Sequence, residues 1–201
     1  MSSSKLVQVK KAVEVVSRGG IVIYPTDTLY GIGCDPFSVD SVKRVFEIKR
    51  REPKPMPVLI PDIEMLYRVA EPAEHEIEAG FKLWPGPVTI LMKKRRELPD
   101  LVTAGEQTVG VRIPGHLIPL TIMQETNKPL VGTSANISGQ PSAQEIGQID
   151  PSILEAVDAV VDGGPTFYNA PSTVIKVSLD GFEVIREGAT SRSEIARRLG
   201  F

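Results

Sequence analysis

Short runs of β-branched and other apolar residues alternate with segments of helical periodicity along most of the chain. Residues 5–18 place apolar side chains at the spacing of one helix face, Gly19-Gly20 ends that helix, and the apolar run at 21–24 is typical of a buried strand. Such alternation is characteristic of α/β folds, in which helices cover both faces of a sheet. The pattern therefore predicts an α/β fold built on a central sheet.

The same patterns predict the other elements of secondary structure. Helices are expected over residues 39–50, 63–69, 73–84, 116–126, 151–157 and 191–199, and strands over 58–60, 88–92, 108–113, 130–133, 159–161, 173–178 and 182–186. Ser38 or Asp40 is predicted to cap the second helix, and Asp62 the third, because their side-chain oxygens can accept the free N–H groups of a first turn. Asp180-Gly181 predicts the turn of a terminal antiparallel hairpin.

The length of the chain and its lack of internal boundaries predict a single domain. Its 201 residues are enough to bury a sizeable core. There is no repeat, low-complexity tract or linker in the sequence. Residues 1–201 are therefore expected to form one unit.

Charge and composition argue against a general nucleic-acid-binding protein. The 23 Lys and Arg residues are outnumbered by 25 Asp and Glu, which leaves a net charge of −2, and only 5% of residues are aromatic. Non-specific binding to nucleic acids needs a basic surface, and binding of single strands needs aromatic stacking platforms. Local basic patches remain compatible with the sequence.

Cysteine and histidine are too few for a disulfide framework or a structural zinc site. Cys34 is the only cysteine, and His75 and His116 are far apart in sequence, with His116 expected to cap or hydrogen-bond locally. The N-terminus lacks the apolar core of a secretory signal, and no apolar run approaches the ~18 residues of a membrane span. A cytoplasmic protein is expected.

Several predicted strands adjoin small polar residues. The segments are PTDTLYG (25–31), IPGH (113–116), TSANISG (133–139) and, in a different layout, APST (170–173). Any one of them could simply cap a helix or fill a turn. Several such loops on one sheet would supply hydroxyls and free backbone N–H groups with little bulk, which suits a small zwitterion or a phosphate.

Two arginines lie in unusually apolar surroundings. Arg112 and Arg186 come late in predicted strands, where a guanidinium needs an anionic partner or a cleft. For Arg112 a buried acidic partner such as Asp27 is the alternative to a ligand. The basic residues after the second helix, Lys49 and Arg51, have an ordinary alternative, since cations complement a helix C-terminus. No Walker GxxxxGK[ST] and no GxGxxG opening a helix is present, so any nucleotide site uses another architecture.

Seven segments occur here in the order found in the YrdC family of L-threonylcarbamoyladenylate synthases, which this chain resembles. They are PTDTLYGIG (25–33), Lys49-x-Arg51, WPGPVTI (84–90), VRIPGH (111–116), TSANISG (133–139), PSTVI (171–175) and Arg186-x-Gly188. The resemblance covers about residues 10–190 and is to the short, single-domain form. It implies a YrdC/RibB-like α/β (α+β) domain, with a twisted mixed sheet flanked by helices and a concave, positively lined cleft.

The resemblance also implies a nucleotidyl-transfer reaction. L-Threonine, bicarbonate and ATP would give threonylcarbamoyl-AMP and pyrophosphate, with Mg²⁺ accompanying ATP and no metal held by the protein itself. A downstream threonylcarbamoyl transferase complex would then modify the adenosine next to the anticodon in certain tRNAs.

Roles for individual residues are likewise implied by the matching motifs. Thr28, Arg112 and Ser172 would bind threonine, and Lys49 and Arg51 would act in catalysis. The residues assigned to ATP are Arg51, Lys54, Thr108, Thr133, Ser134, Asn136, Ser142 and Arg186.

Three rival functions fit parts of the sequence. A concave basic face could accept tRNA or double-stranded RNA without catalysis, although the negative net charge and few aromatics argue against this. A carbamoyl-transfer domain of hydrogenase-maturation proteins would be accompanied by zinc-finger cysteines, which this chain lacks. A catalytically degenerate regulator is disfavoured because the motifs are intact.

Overall fold

The computed structural model describes residues 3–201, which form eight α-helices, one 3-10 helix and ten strands. The α-helices are α1 (Ser3–Ser17), α2 (Val39–Ile48), α3 (Ile63–Val69), α4 (Glu74–Leu83), α5 (Asp100–Thr103), α6 (Leu117–Thr126), α7 (Pro151–Ala156) and α8 (Arg192–Leu199), and the 3-10 helix is Ile146–Gln148. The strands are β1 (Val22–Pro25), β2 (Tyr30–Gly33), β3 (Val58–Leu59), β4 (Val88–Lys93), β5 (Thr108–Arg112), β6 (Leu130–Val131), β7 (Thr133–Ser134), β8 (Ala159–Val160), β9 (Thr173–Ser178) and β10 (Gly181–Arg186).

The strands form two mixed sheets rather than one central sheet. The first has the order β7-β2-β1-β8 and the second the order β10-β9-β4-β5-β3-β6. Both sheets contain parallel and antiparallel pairs of strands. In the first sheet, β1 is parallel to β8 and antiparallel to β2. The predicted mixed α/β class is confirmed, while the division into two sheets is a feature that the periodicity did not indicate.

Strand β2 was not expected from the sequence. It lies in the stretch read as a loop after β1, and it pairs with β1 from Val22↔Gly33 to Pro25↔Tyr30. Its two glycines, Gly31 and Gly33, weaken the strand pattern in the sequence. Gly33 is needed in the fold, since a Cβ there would lie 2.4 Å from the Val131 carbonyl oxygen, and a Cβ at Gly31 would make a tight contact of 3.1 Å with the Tyr24 ring.

One continuous segment joins the two sheets. β6 pairs with β3 in the second sheet, and β7, two residues further on, pairs with β2 in the first. Gly132 stands between them, where its N–H donates to Pro57 O at 2.7 Å and a Cβ would lie 2.9 Å from Leu59 Cγ. The polar loops of both sheets therefore meet at this junction.

Helices α1 and α6 cover one face of the first sheet, and its other face packs into the larger core. Val22 and Tyr24 pack in a cluster with α1 and α6, while Ile21 and Ile23 point into the larger core. All four side chains are fully buried. Strand β1 is therefore an inner element, which agrees with its nearly continuous apolar character.

Local capping follows the sequence closely. Ser38 Oγ accepts from Ser41 N and Asp62 Oδ1 accepts from Met65 N, at 3.4 and 2.8 Å, which confirms both predicted caps. His116 Nδ1 accepts from Ile118 N at 3.2 Å and caps α6. The terminal hairpin is present, with Gly181 already paired to Ser178, so its loop begins one residue earlier than expected. Within residues 3–201, no helix has both the length and the apolarity for crossing a membrane.

Candidate functional site

A cavity of about 330 Å³ opens at the junction of the two sheets. Among the residues proposed from the sequence, it is lined by Thr28, Arg51, Arg112, Thr133, Ser134, Ser142, Ser172 and Arg186. The other lining residues are Tyr24, Thr26, Leu29, Tyr30, Gly31, Pro55, Pro57, Leu59, Gly132 and Pro171. Three arginines and several hydroxyls face one space, and none of its lining residues is acidic.

Arg112 is held by contacts from two other motifs. Its Nη1 donates to Thr28 Oγ1 and its Nε to Gly86 O, both at 2.9 Å, while Nη2 forms a buried ion pair with Asp27. Burial lowers the pKa of Arg112, and the Asp27 carboxylate opposes that shift. The acidic partner considered from the sequence is therefore present, and the guanidinium still lines the cavity.

Thr28 lies in the tight reversal between β1 and β2. Thr26 Oγ1 accepts from the N–H groups of Thr28 and Leu29 at 3.1 and 3.2 Å and donates to Leu29 O at 2.7 Å. The hydroxyls of Thr26 and Thr28 are 2.8 Å apart. This local network turns Thr28 towards Arg112 and explains why the strand gives way to small hydroxyl residues.

Ser172 sits between Arg186 and Thr89. Arg186 Nη2 donates to Ser172 O at 2.7 Å and to Ser172 Oγ at 3.3 Å, and Ser172 Oγ is 2.8 Å from Thr89 Oγ1. Thr89 is almost completely buried in β4. Burial lowers the pKa of Arg186. The hydroxyl of Ser172 is thus oriented from two sides.

Arg51 approaches the cavity from the end of α2. Its Nη1 donates to Thr133 Oγ1 and its Nη2 to Pro55 O, both at 3.3 Å. The side chain is about half-buried, and burial lowers its pKa. Arg51 therefore lies beside Thr133 and Ser134 with guanidinium N–H groups available to a ligand.

Lys49 lies behind the cavity rather than on its wall. Its Nζ donates to the backbone oxygens of Ser134 and Asn136, the latter at 2.8 Å, and to Asn136 Oδ1 at 3.3 Å. Burial and the nearby charge of Arg51 lower the pKa of Lys49 to about 7. The amine ties α2 to the TSANISG segment.

Asn136 also points into its own loop. Its Oδ1 accepts from Ser134 Oγ at 2.6 Å, and its Nδ2 donates to Gln140 O at 2.6 Å. It does not line the cavity, so the structure places it, like Lys49, one layer behind Ser134.

Two further residues assigned to ATP, besides Asn136, are not brought to the cavity. Lys54 is exposed on the segment after α2, outside the lining. Thr108 is exposed at the first position of β5, opposite Lys93, whereas Arg112 is at the last. Four residue steps along the strand separate them by roughly 13 Å. Their roles stay predictions.

Residues 14–188 match the protein family described as "Sua5_yciO_yrdC: Telomere recombination". The chain belongs to this Sua5/YciO/YrdC family. A putative threonylcarbamoyl-AMP synthase of Methanocaldococcus jannaschii is 39% identical over 196 residues, which is 94% of this chain and 91% of that protein. The threonylcarbamoyl-AMP synthase of Bacillus subtilis is 32% identical over 96% of this chain and 57% of its own length.

A solved family structure has the same fold. Sua5 of Pyrococcus abyssi, crystallised in complex with L-threonine, superposes with a TM-score of 0.88 at 32% identity and covers 96% of this chain. This chain spans 57% of that Sua5 protein. The family resemblance seen in the motifs is therefore confirmed in sequence and in fold.

Sequence reasoning missed three contributors to this Sua5/YciO/YrdC site. Tyr24 lines the cavity with its hydroxyl donating to Val131 O at 2.7 Å, and Thr26 organises the reversal beside it. Thr89 supports Ser172 from outside the lining. The threonines fall within the PTDTLYGIG and WPGPVTI motifs, and the polar character of Thr89 inside an apolar strand could have indicated it.

Proposed function

We propose that the protein is a threonylcarbamoyl-AMP synthase, a nucleotidyltransferase that makes threonylcarbamoyl-AMP and pyrophosphate from L-threonine, bicarbonate and ATP. The observation that carries the proposal is the single cavity in which Thr28, Arg112 and Ser172 meet Arg51 and Arg186. Family membership, relatives that bear this name and the threonine complex of a family member support it.

The Arg112 end of the cavity suits threonine. A guanidinium binds a carboxylate in a two-pronged arrangement, and Arg112 is held in place by Thr28 and Gly86. The hydroxyls of Thr28 and Ser172 supply further polar contacts to a small amino acid. Threonine is compact enough for this part of the cavity.

The Arg51 end suits the phosphates of ATP. Arg51 donates to Thr133, and Arg186, Ser134 and Ser142 line the same cavity, in which no acidic lining residue competes for the arginines. Lys49 and Asn136 would support this wall by fixing the backbone of residues 134–136. Lys54 and Thr108 would reach a nucleotide only if it extended beyond the cavity.

The reaction requires positioning and charge stabilisation rather than a protein nucleophile. The neutral threonine amine forms a carbamate with bicarbonate, releasing water, or with CO₂, releasing a proton; a carbamate oxygen then attacks the α-phosphorus of ATP, and pyrophosphate leaves. Arginines aimed at the phosphates offset the charge that develops during transfer. The mixed anhydride product hydrolyses easily, so a partly enclosed cavity protects it.

Mg²⁺ would be held mainly by the phosphates of ATP and by water. Among residues 3–201, no cluster of three or more His, Cys, Asp or Glu side chains could ligate a metal ion. Cavity walls without carboxylates fit a magnesium ion that arrives with the nucleotide, since Mg²⁺ retains several waters and phosphate ligands. The ion would neutralise phosphate charge.

The product would pass to a downstream threonylcarbamoyl transferase complex that modifies tRNA next to the anticodon. In this role the protein would act in tRNA processing in the cytoplasm. Direct contact with tRNA would need a basic surface outside the cavity, and its binding should weaken steeply with salt.

Pyrophosphate release from ATP-Mg²⁺, with threonine and bicarbonate each omitted in turn, tests the proposal. Pyrophosphate release that requires both threonine and bicarbonate establishes synthase activity. Serine in place of threonine is the control for specificity. Release that requires neither indicates a plain ATPase. No release, together with salt-sensitive binding of double-stranded RNA or tRNA, would favour the RNA-binding module.

A further inference from the structure

Asp27 carries a buried carboxylate oxygen without a partner. Its Oδ1 pairs with Arg112, and its side chain is only 6% exposed. Within residues 3–201, Oδ2 of Asp27 is the buried side-chain oxygen or nitrogen for which no hydrogen bond is found. Buried carboxylates normally use both oxygens, so this position calls for a functional explanation.

The backbone of Gly115 packs close to that oxygen. Gly115 faces Asp27, and a Cβ at Gly115 would lie 3.3 Å from Oδ2. The backbone oxygen of Asp27 accepts from Tyr168 N at 2.9 Å, which fixes the residue behind Thr28. Asp27 does not line the cavity, but its ion-pair partner Arg112 and the adjacent residue Thr28 do.

The negative charge of Asp27 affects the charge balance at the Arg112 end of the cavity. No acidic residue lines the cavity, so Asp27 is the negative charge paired with the guanidinium that faces the ligand. The Asp27–Arg112 pair is neutral as a whole. Next to this pair, a ligand with a carboxylate alone would bring a negative charge that Arg112, already paired with Asp27, does not fully compensate, whereas a zwitterion would bring its own compensating ammonium.

We propose that Asp27 is a specificity-determining residue that selects ligands with an ammonium group beside the carboxylate, and so favours an α-amino acid over the matching hydroxy acid. This inference rests on the proposed function of the cavity as a threonine site. Asp27 acts through its charge and through Arg112, without contacting the reacting atoms.

Binding of three ligands to wild type and Asp27→Asn, measured by calorimetry, tests the inference. L-Threonine carries both charges, (R)-3-hydroxybutyrate lacks the ammonium, and L-threoninol lacks the carboxylate. In Asp27→Asn, the preference for threonine over 3-hydroxybutyrate should fall by roughly tenfold. The affinity for threoninol should also fall. Both effects are expected because a charge several ångströms away interacts strongly with a ligand where the effective dielectric is low.

A buried aspartate elsewhere provides the matched control. Asp35 pairs with Lys128 at 3.0 Å, and its other oxygen accepts from Phe37 N at 2.9 Å, away from the cavity. Asp35→Asn should leave the order of the three ligands unchanged. Asp27→Glu, which retains the charge, should also keep the wild-type order.

If Asp27→Asn does not fold, the variant that removes the opposite charge, Arg112→Gln, tests the inference instead. Arg112→Gln leaves Asp27 as the uncompensated charge, so threoninol should then bind more tightly than 3-hydroxybutyrate. An equal loss of affinity for all three ligands, in whichever variant folds, would overturn the inference and leave Asp27 a structural residue. Failure of wild-type protein to bind threonine would instead overturn the proposed function, and the inference with it.

Discussion

The amine of Lys49 lies 2.8 Å from the backbone oxygen of Asn136, 87 residues further along the chain. It thereby joins the end of α2 to the TSANISG segment, where Ser134 faces the cavity. This geometry assigns Lys49 a supporting position behind the proposed phosphate-binding wall.

Lys49 should make folding stability depend on pH. Its pKa in the folded protein is lowered from 10.5 to about 7, so the unfolded chain binds more protons at pH values between these two. Stability should therefore rise with pH over that window, by at most about 1.4 kcal/mol per pH unit, and should show no such gain below it. Urea denaturation of wild type and Lys49→Met at pH 7 and 9 measures the effect; an unchanged difference between the two proteins would contradict it.

Arg112→Ala should raise the KM for threonine far more than the KM for ATP. It removes the proposed carboxylate contact and leaves Asp27 buried without its partner, which should also destabilise the fold by about 3–5 kcal/mol. Steady-state kinetics with each substrate varied, beside thermal melting, separates the two effects. Equal increases in both KM values would argue against a threonine-specific role.

Arg51→Ala should act mainly on turnover. A cation used chiefly when charge develops on the phosphates contributes roughly 10²–10³ in rate. Lys49→Ala should also depress turnover, through loosening of residues 134–136. Pyrophosphate release at saturating substrates checks both variants, and near wild-type turnover in both would refute these assignments.

Thr89→Val should raise the KM for threonine a few-fold and leave the KM for ATP unchanged. The replacement keeps the shape of the side chain but removes the hydroxyl that orients Ser172, at a cost of about 1 kcal/mol in stability. Thr103 is equally buried and donates to Glu106 O at 2.8 Å, away from the cavity. Thr103→Val should lose similar stability without any change in KM, and a matching KM change there would disprove the specific role of Thr89.

Gly33→Ala should destabilise the protein by about 1–3 kcal/mol, because the added methyl group collides with the Val131 carbonyl at the sheet junction. Gly147→Ala is the control, since a Cβ at Gly147 meets nothing within 4 Å. Chemical denaturation compares the free energies of unfolding of the two variants. Equal stability of the two variants would mean that the junction adapts to a side chain.

Local features of the fold could be predicted because they depend on neighbouring residues. Helical spacing located the helix that became α1, and the caps at Ser38 and Asp62 followed from side chains beside the N–H groups they satisfy. Ordered motifs also indicated the family, and the family resemblance indicated eight of the residues that line the cavity. These conclusions required no knowledge of distant contacts.

Only the tertiary structure decided which distant groups meet. Strand β2 contains glycines because Tyr24 and Val131 occupy the space that side chains there would need, and its pairing with β1 is a contact that the local sequence does not indicate. Arg112 meets Asp27 across 85 residues, and Lys49 turns away from the cavity to reach Asn136. The sequence by itself determined the elements and the chemical types at the site, whereas long-range packing decided which residues face the ligand and which stand behind them.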